Sequence, residues 1–461
     1  MDESLLRKLQ SNTALPMHMP GHKRNTALAP YLKDLGAAWD ITEIDGFDNL
    51  HDARGILRRS MDRAAALWGS CRAFYLVGGS SCGILAAIHA AACRGDTVIL
   101  ARNCHISVYN ALMLRGLRPV YLTPGDPGHG ICGPIDPNDV EQALHDHPDA
   151  AAVILTSPTY DGVCSDVNAI ADAVHRRGKV LIVDQAHGAH FGFGHGFPDS
   201  AVHQGADVVI QSAHKTLPSL TQTAVLHLCS HRVSETALHR ALAVFQSTSP
   251  SYLLMASLDG CVGLLEREGD DLFTRWQQAL DRFYDRCADL RRLGLFHFPG
   301  RDRSKIVILT DGTTLTGSDL AHILRQQHGI ELEMASVAYA TAMTGLGDTE
   351  ETLDALADAL LAIDETAETA ETTPFAAPSL PQMAMAPWEA EGRDGEFVTP
   401  ESAMGRISGE FLWAYPPGVP LLVPGEVVDR PILDTMAAYA AGGIQLRSTT
   451  GQAPEKIFVQ K

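Results

Sequence analysis

The chain has 461 residues, 45% of them hydrophobic and 20% charged, and its 36 Lys and Arg against 55 Asp and Glu give a formal charge of −19. Such a length exceeds one ordinary core and implies two or three domains, while the acid excess argues against nucleic acid or an anionic membrane surface as a partner. No apolar run reaches the roughly 20 residues of a membrane-spanning helix and the first residues lack a signal-peptide core, so a cytoplasmic protein is expected.

Residues 1–60 read as an N-terminal segment of short helices and turns. The next stretch, 61–295, alternates. Strand-like runs are AFYLV (73–77), TVILA (97–101), PVYLT (119–123), AAVILT (151–156), KVLIVD (179–184), DVVIQ (207–211) and QTAVLHL (222–228). Helix-like stretches at 82–93, 107–116, 137–147 and 166–178 lie between them, and 250–295 is helical with apolar recurrence at three and four. Alternation of this kind predicts an α/β domain: a mostly parallel sheet of about seven strands covered by helices on both faces, with ligands at the carboxyl ends of the strands. A smaller α+β domain is expected over 296–364, an Ala/Thr/Pro-rich linker or wrapping arm over 365–390, and a C-terminal domain over 391–461. Nine cysteines occur without a CxxC pair. Cys71, Cys82, Cys93 and Cys104 are evenly spaced but fall in segments read as strand, loop, helix and loop, so reduced thiols and no metal site are expected.

Four constellations sit at predicted strand ends. GGSSCG (Gly78–Gly83) offers flexible backbone, hydroxyl donors and a helix N-terminus, which suit an anion, although a tight turn capped by serine explains it equally. Asp184, in VDQAHGAH, closes a buried strand where a bare carboxylate is costly without a partner. Lys215, in SAHKTLPSLTQ, has no acidic residue between Val208 and Ser234 to pair with it; a poorly solvated lysine favours the neutral amine that forms a Schiff base. His105, in RNCHIS, follows the strand TVILA. Each signal is weak alone. Together an anion loop, a carboxylate, an imidazole and a lysine are the set that pyridoxal phosphate requires.

These motifs, with HMPGHKR (His18–Arg24), DITEIDGFDNLHDARGIL (Asp40–Leu57), TSPTYDGV (Thr156–Val163), STSPSYLLMASLD (Ser247–Asp259) and GRISGEFLWAYPPGVPLLVPGE (Gly405–Glu426), resemble the Orn/Lys/Arg decarboxylase family in order over nearly the whole chain. The resemblance is to the short members, which lack an N-terminal wing. It implies the aspartate-aminotransferase fold and pyridoxal 5′-phosphate as cofactor, with Lys215 linked to its aldehyde and Asp184 paired with its ring nitrogen. It further implies His105 and Ala186 on the two ring faces, Ser80, Ser81, Cys82, Ser212 and His214 around the phosphate, and His187 near the substrate. Decarboxylation of a basic amino acid is then expected, arginine in preference to lysine or ornithine, in a homodimer or higher homo-oligomer with active sites at its interface. Glu43, Asp45 and Asp48 are candidates for the substrate's distal cation. Gln185, Ile106, Cys82 and Ser336 depart from the family's usual residues. They leave open an aminotransferase or other pyridoxal enzyme, and a non-catalytic homologue.

Overall fold

The computed structural model describes residues 4–371, 380–414 and 418–461. The middle of the expected linker (372–379) and the Tyr-Pro-Pro of the C-terminal motif (415–417) lie outside the described residues. The chain divides into two compact units, one of Met1–Ala91, Val180–Thr274 and Gly345–Gly347, the other of Ala92–Lys179, Arg275–Thr344 and Asp348–Lys461.

All seven strands read from the sequence form: β1 (Arg72–Leu76), β2 (Thr97–Ala101), β3 (Arg118–Leu122), β4 (Ala152–Thr156), β5 (Val180–Asp184), β6 (Val208–Gln211) and β7 (Ala224–Leu228), in one sheet of order β1-β7-β6-β5-β4-β2-β3. Helices α1 (Leu5–Ser11), α2 (Ile56–Trp68), α3 (Gly79–Ala91), α4 (Ile106–Arg115), α5 (Pro137–Asp146), α6 (Val167–Arg176), α7 (Ala213–Thr216), α8 (Glu235–Phe245) and α9 (Tyr252–Arg286) follow in chain order.

In the first unit every residue of β5 and β7 is buried, as continuous apolar strands covered on both faces must be. β5 and β6 are parallel, but β7 runs antiparallel to both β6 and β1. The reason is the connection: no crossover helix of useful length separates β6 from β7, and a short link returns the chain antiparallel. α3 lies close on the sheet. A Cβ on Gly83 would stand 2.5 Å from Leu76 Cδ1 and 3.2 Å from Ile210 Cγ2, so glycine allows that approach without displacing the buried Leu76 side chain. α3 also begins earlier than its pattern suggests, at Gly79, which places Cys82 in its first turn rather than in a loop.

In the second unit β2 is parallel to β3 and to β4. α5 starts with Asp136 capping Asn138 N–H and Pro137 at the first helical position, and α6 starts with Asp166 capping Ala169 N–H. A four-stranded antiparallel sheet comprises β8 (Gly294–Leu295), β9 (Lys305–Leu309), β10 (Met334–Ala335) and β11 (Tyr339–Met343), in the order β10-β11-β9-β8. Two small sheets and the helix Arg430–Ala441 surround a core that includes Leu412, Leu422, Val428, Ile432 and Val459. The flanks of the expected linker are pinned by backbone bonds, Thr314 N–H to Glu368 O (2.9 Å) and Val427 N–H to Gln382 O (2.8 Å). Among the described residues no helix is long and apolar enough to cross a membrane.

Candidate active site

The first unit brings most of the expected residues to one sheet edge. β5 ends at Asp184 and its parallel neighbour β6 runs into Ser212, while β1, antiparallel to β7 and hence parallel to β6, delivers Gly78 and α3 at the same edge. The two loops after β5 and β6 are tied together by Gln185 N–H to Ile210 O (2.9 Å) and Ser212 N–H to Ala186 O (3.3 Å).

Lys215 is half-buried in the short turn α7, and its Nζ lies 2.7 Å from Nε2 of the buried His187. Asp184 is 3% exposed, and its Oδ1 accepts the Ala186 N–H at 3.1 Å. Burial pushes its carboxyl up to about 6, against the opposing pull of the Lys215 ammonium and of that N–H. A carboxylate so poorly solvated is suited to a cationic N–H partner, as a protonated ring nitrogen supplies. Ala186 is buried beside it.

The anion-binding side has its own orphan. Ser212 is fully buried and its Oγ has no hydrogen-bond partner among the described residues; the same holds for Thr216 Oγ1, on the other side of Lys215. Buried hydroxyls without partners are uncommon. Gly79 takes φ +73, a left-handed turn, and donates to Gln222 O at 2.9 Å, while open space surrounds the point where its Cβ would be. Ser80 and Ser81 follow half-buried in the first turn of α3, where backbone N–H groups lack helical acceptors. Cys82 is turned away: its Sγ reaches Gly79 O at 3.1 Å, and burial raises the thiol to about 11, so it is a neutral turn-closing group. His214 is half-buried with Nδ1 2.8 Å from Thr223 O, which fixes the proton on Nδ1. Burial lowers its pKa, so Nε2 donates to an anion only when the anion itself draws a second proton to the ring. These groups fit the pyridoxal phosphate implied by the sequence: hydroxyls and a helix N-terminus for phosphate, a desolvated carboxylate for the ring, a half-buried amine for the aldehyde.

In the second unit His105 caps α4. Its Nδ1 accepts from Ser107 N–H at 3.2 Å and lies 2.9 Å from Ser107 Oγ, which leaves the neutral ring's proton on Nε2. Ile106, a departure from the family pattern, serves here through its backbone, donating to Gly418 O at 3.3 Å. Gly418, at φ +82, lies so near that a Cβ would stand 3.6 Å from His105 Nε2.

Sequence reasoning missed the group that fixes this arrangement. Arg102 is buried, and its guanidinium grips Glu426 (Nε to Oε1 3.2 Å, Nη2 to Oε2 3.0 Å) and the carbonyls of Pro420 (2.6 Å) and Leu421 (3.2 Å). It also packs on the rings of Tyr109 and Tyr121, 5.6 and 5.5 Å from their centroids. The segment after Gly418 is thereby clamped to the loop that carries His105. Arginine and glutamate both stood in quoted motifs, but nothing in either motif signals a partner 324 positions away.

The other unusual positions have local reasons. Gln185 Oε1 accepts from Ser200 Oγ (3.0 Å), Ala201 N–H (3.3 Å) and Gln211 Nε2 (2.8 Å), and Gln211 Oε1 meets His227 Nε2 at 3.2 Å. It belongs to a buried neutral network behind Asp184. Ser336 is buried and its N–H bonds Tyr339 O at 2.7 Å. Of the acidic candidates, Asp48 is engaged by the N–H groups of Gly55, Leu57, Arg54, Arg58 and Asn49; burial opposes its charge, but these bonds hold its carboxyl below the ordinary value. It shapes the entry to α2. Asp45 is exposed. Glu43 takes the Thr42 hydroxyl on Oε2, while Oε1 is buried with no partner among the described residues.

Comparison with known proteins shows the family. A family model described as the Orn/Lys/Arg decarboxylase major domain matches residues 5–298, and one described as the C-terminal domain of the same family matches residues 369–445. The chain is 33% identical over 428 residues to the arginine decarboxylase of Halalkalibacterium halodurans, covering 89% of this chain and 87% of that protein. It is 32% identical over 440 residues to the arginine decarboxylase of Bacillus subtilis, covering 92% and 90%. The crystal structure of a lysine decarboxylase from Francisella novicida has the same fold, with a TM-score of 0.83 at 18% identity over 99% of this chain and 81% of that one.

Proposed function

We propose that this chain, which belongs to the Orn/Lys/Arg decarboxylase family, takes arginine as its basic amino acid, with pyridoxal phosphate held at Lys215. The protein is an amino-acid decarboxylase of the carboxy-lyase type, acting on a basic amino acid. The choice of arginine rests on the relatives named for it, which cover most of their length. The observation that carries the site assignment is the contact of Lys215 Nζ with His187 Nε2, 2.7 Å, on the loop that follows the desolvated Asp184.

Pyridoxal phosphate, when bound, supplies an electrophilic aldehyde and a protonated ring that accepts the electron pair left behind by carbon dioxide. The chain's part is to hold and to move protons. Lys215 is the amine for the aldehyde, and His187 orients its Nζ and takes or returns a proton there. Asp184 would keep the ring nitrogen protonated. Ser80, Ser81, Ser212 and His214 would hold the phosphate, and Ala186 would line the ring's site. For His105 we carry forward the ring-stacking role that the family implies. Glu43, with its partnerless buried oxygen, is our candidate for the guanidinium of the substrate. We read 61–295 as the cofactor domain, 296–364 as the small domain, 365–390 as the arm and 391–461 as the C-terminal domain, in a cytoplasmic homodimer or higher homo-oligomer with interface active sites.

The test is a carbon-dioxide-release panel with arginine, lysine and ornithine on purified cofactor-loaded protein, with Lys215→Ala alongside. Release from arginine above the other two, lost in Lys215→Ala together with the cofactor's visible absorbance, is expected. A keto acid in place of carbon dioxide and amine would assign an aminotransferase instead, and full activity in Lys215→Ala would overturn the site.

A further inference from the structure

Outside the proposed active site, the antiparallel pair β1–β7 carries two cysteines that the catalytic reading does not use. The register runs from Leu76↔Ala224 to Arg72↔Leu228, and continuing it one step past the two strand ends sets Cys71 opposite Cys229. The kind of step follows from the neighbouring strand. Cys229 donates its amide N–H to Asp207 O at 2.9 Å, on the β6 side. Along an antiparallel strand the backbone groups of successive residues face alternate neighbours, so toward β1 the Cys71/Cys229 position is a non-hydrogen-bonded pair. That is the closer of the two kinds, with Cα atoms about 4.5 Å apart, inside the range a disulfide spans. The Cys71 thiol does reach the Cys229 backbone: its Sγ donates to Cys229 O at 3.2 Å.

Their exposures are unequal. Cys71 is exposed, one residue before the edge strand β1, and Cys229 is half-buried, one residue after β7. Cys93 is also exposed and serves as an internal comparison. Burial, with Cys71 and Asp207 close by, holds the Cys229 thiol up at about 12, so the exposed Cys71 is the sulfur that meets an oxidant first.

We propose that Cys71 and Cys229 are a peroxide-sensitive dithiol, a reversible oxidative modification site on the edge of the sheet. The Cys71 sulfur attacks a hydroperoxide, the O–O bond breaks, and Cys71 sulfenic acid forms with release of water or an alcohol. Cys229 then attacks the Cys71 sulfur, the S–O bond breaks, and the departing hydroxide takes the Cys229 proton as a second water. Two thiols lose two electrons in total and the peroxide gains them; a dithiol reductant reverses the step. The new bond would staple β1, which leads into the GGSSCG turn, to β7. The same strand ends are already joined by Ser70 Oγ to His227 Nδ1 at 3.1 Å, so the closure asks for no new register.

The experiment treats cofactor-loaded protein with hydrogen peroxide, blocks remaining thiols, and maps peptides without reduction. A Cys71–Cys229 linked peptide, lighter by two hydrogens and restored by dithiothreitol, is expected, with a rise in Tm of the oxidised protein. Cys71→Ser removes both the link and the Tm rise; because Cys71 is exposed, this variant folds. Cys229→Ser leaves Cys71 trapped as sulfenic acid, detected with a dimedone probe. Oxidation of Cys71 to sulfinic acid in the wild type without a link, a link to another cysteine, or an equal Tm rise in Cys71→Ser would overturn the proposal.

Discussion

Glu426→Gln is the sharpest probe of the clamp around His105, because it keeps the side chain's shape and removes the charge facing Arg102. Glu426 is fully buried and its Oε2 lies 3.0 Å from Arg102 Nη2. At that separation and an effective dielectric of about 20, the attraction is about 5 kcal/mol. Part of it survives the substitution: the glutamine carbonyl still accepts one N–H, and the Pro420 and Leu421 carbonyls and the two tyrosine rings remain. A buried ion pair broken on one side costs about 3–5 kcal/mol, and these surviving contacts put the net at the lower end, about 3 kcal/mol. Native-state hydrogen exchange reads this locally. The amides of Ile106, bonded to Gly418 O, and Gly425, bonded to Ser408 O, are expected to exchange about a hundredfold faster. The Gln185 amide in the first unit should not change. The double variant Arg102→Met/Glu426→Gln leaves no unpaired buried charge and should recover a large part of the loss. Unchanged exchange in Glu426→Gln, or strict additivity in the double variant, would refute the electrostatic account.

Further outcomes concern the first unit and the pH dependence. Asp184 titrates near 6 in the folded, cofactor-free protein against 3.8 ordinarily. Between those values the folded state holds the extra proton, so its contribution to stability is fully present below 3.8 and is lost as pH rises through 6. Asp161, also raised to about 6 by burial, with Tyr339, Thr341 and Arg301 opposing, adds a parallel slope. The buried His227, lowered to about 3, opposes them with stability that rises over the same range, so Asp184→Asn should make the urea midpoint rise more, or fall less, with pH across this window, and an unchanged slope would show that Asp184 is ordinarily solvated. Gly83→Ala forces a methyl to within 2.5 Å of Leu76 and should destabilise by about 1–3 kcal/mol, seen as a lower Tm and weaker cofactor retention. An unchanged Tm would mean that α3 can lift off the sheet at no cost.

Much of the first unit was legible because local rules suffice there. Seven apolar runs with helices between them mark strands whatever their partners, and Asp184, Ser212 and Lys215 stand where parallel strands must end. Glycine positions were informative for the same reason: Gly79 and Gly83 answer to a turn and a close approach. The start of α3 was misread because Ser and Gly are turn formers in isolation, and helix propensity there is overridden by packing of Ile84, Ala87 and Ile88 into the core. Gln185 looked like a departure at the site, yet its three donors are supplied by residues 200, 201 and 211.

Strand identity and the chemistry at strand ends are set by the order of apolar and polar residues, which needs no partner to be read. The β1–β7 pairing, the Arg102–Glu426 clamp and the approach of Cys71 to Cys229 depend on segments more than a hundred residues apart becoming neighbours. Such contacts leave no periodic trace in either segment, since each supplies only half of the interaction, and only the packed chain decides them.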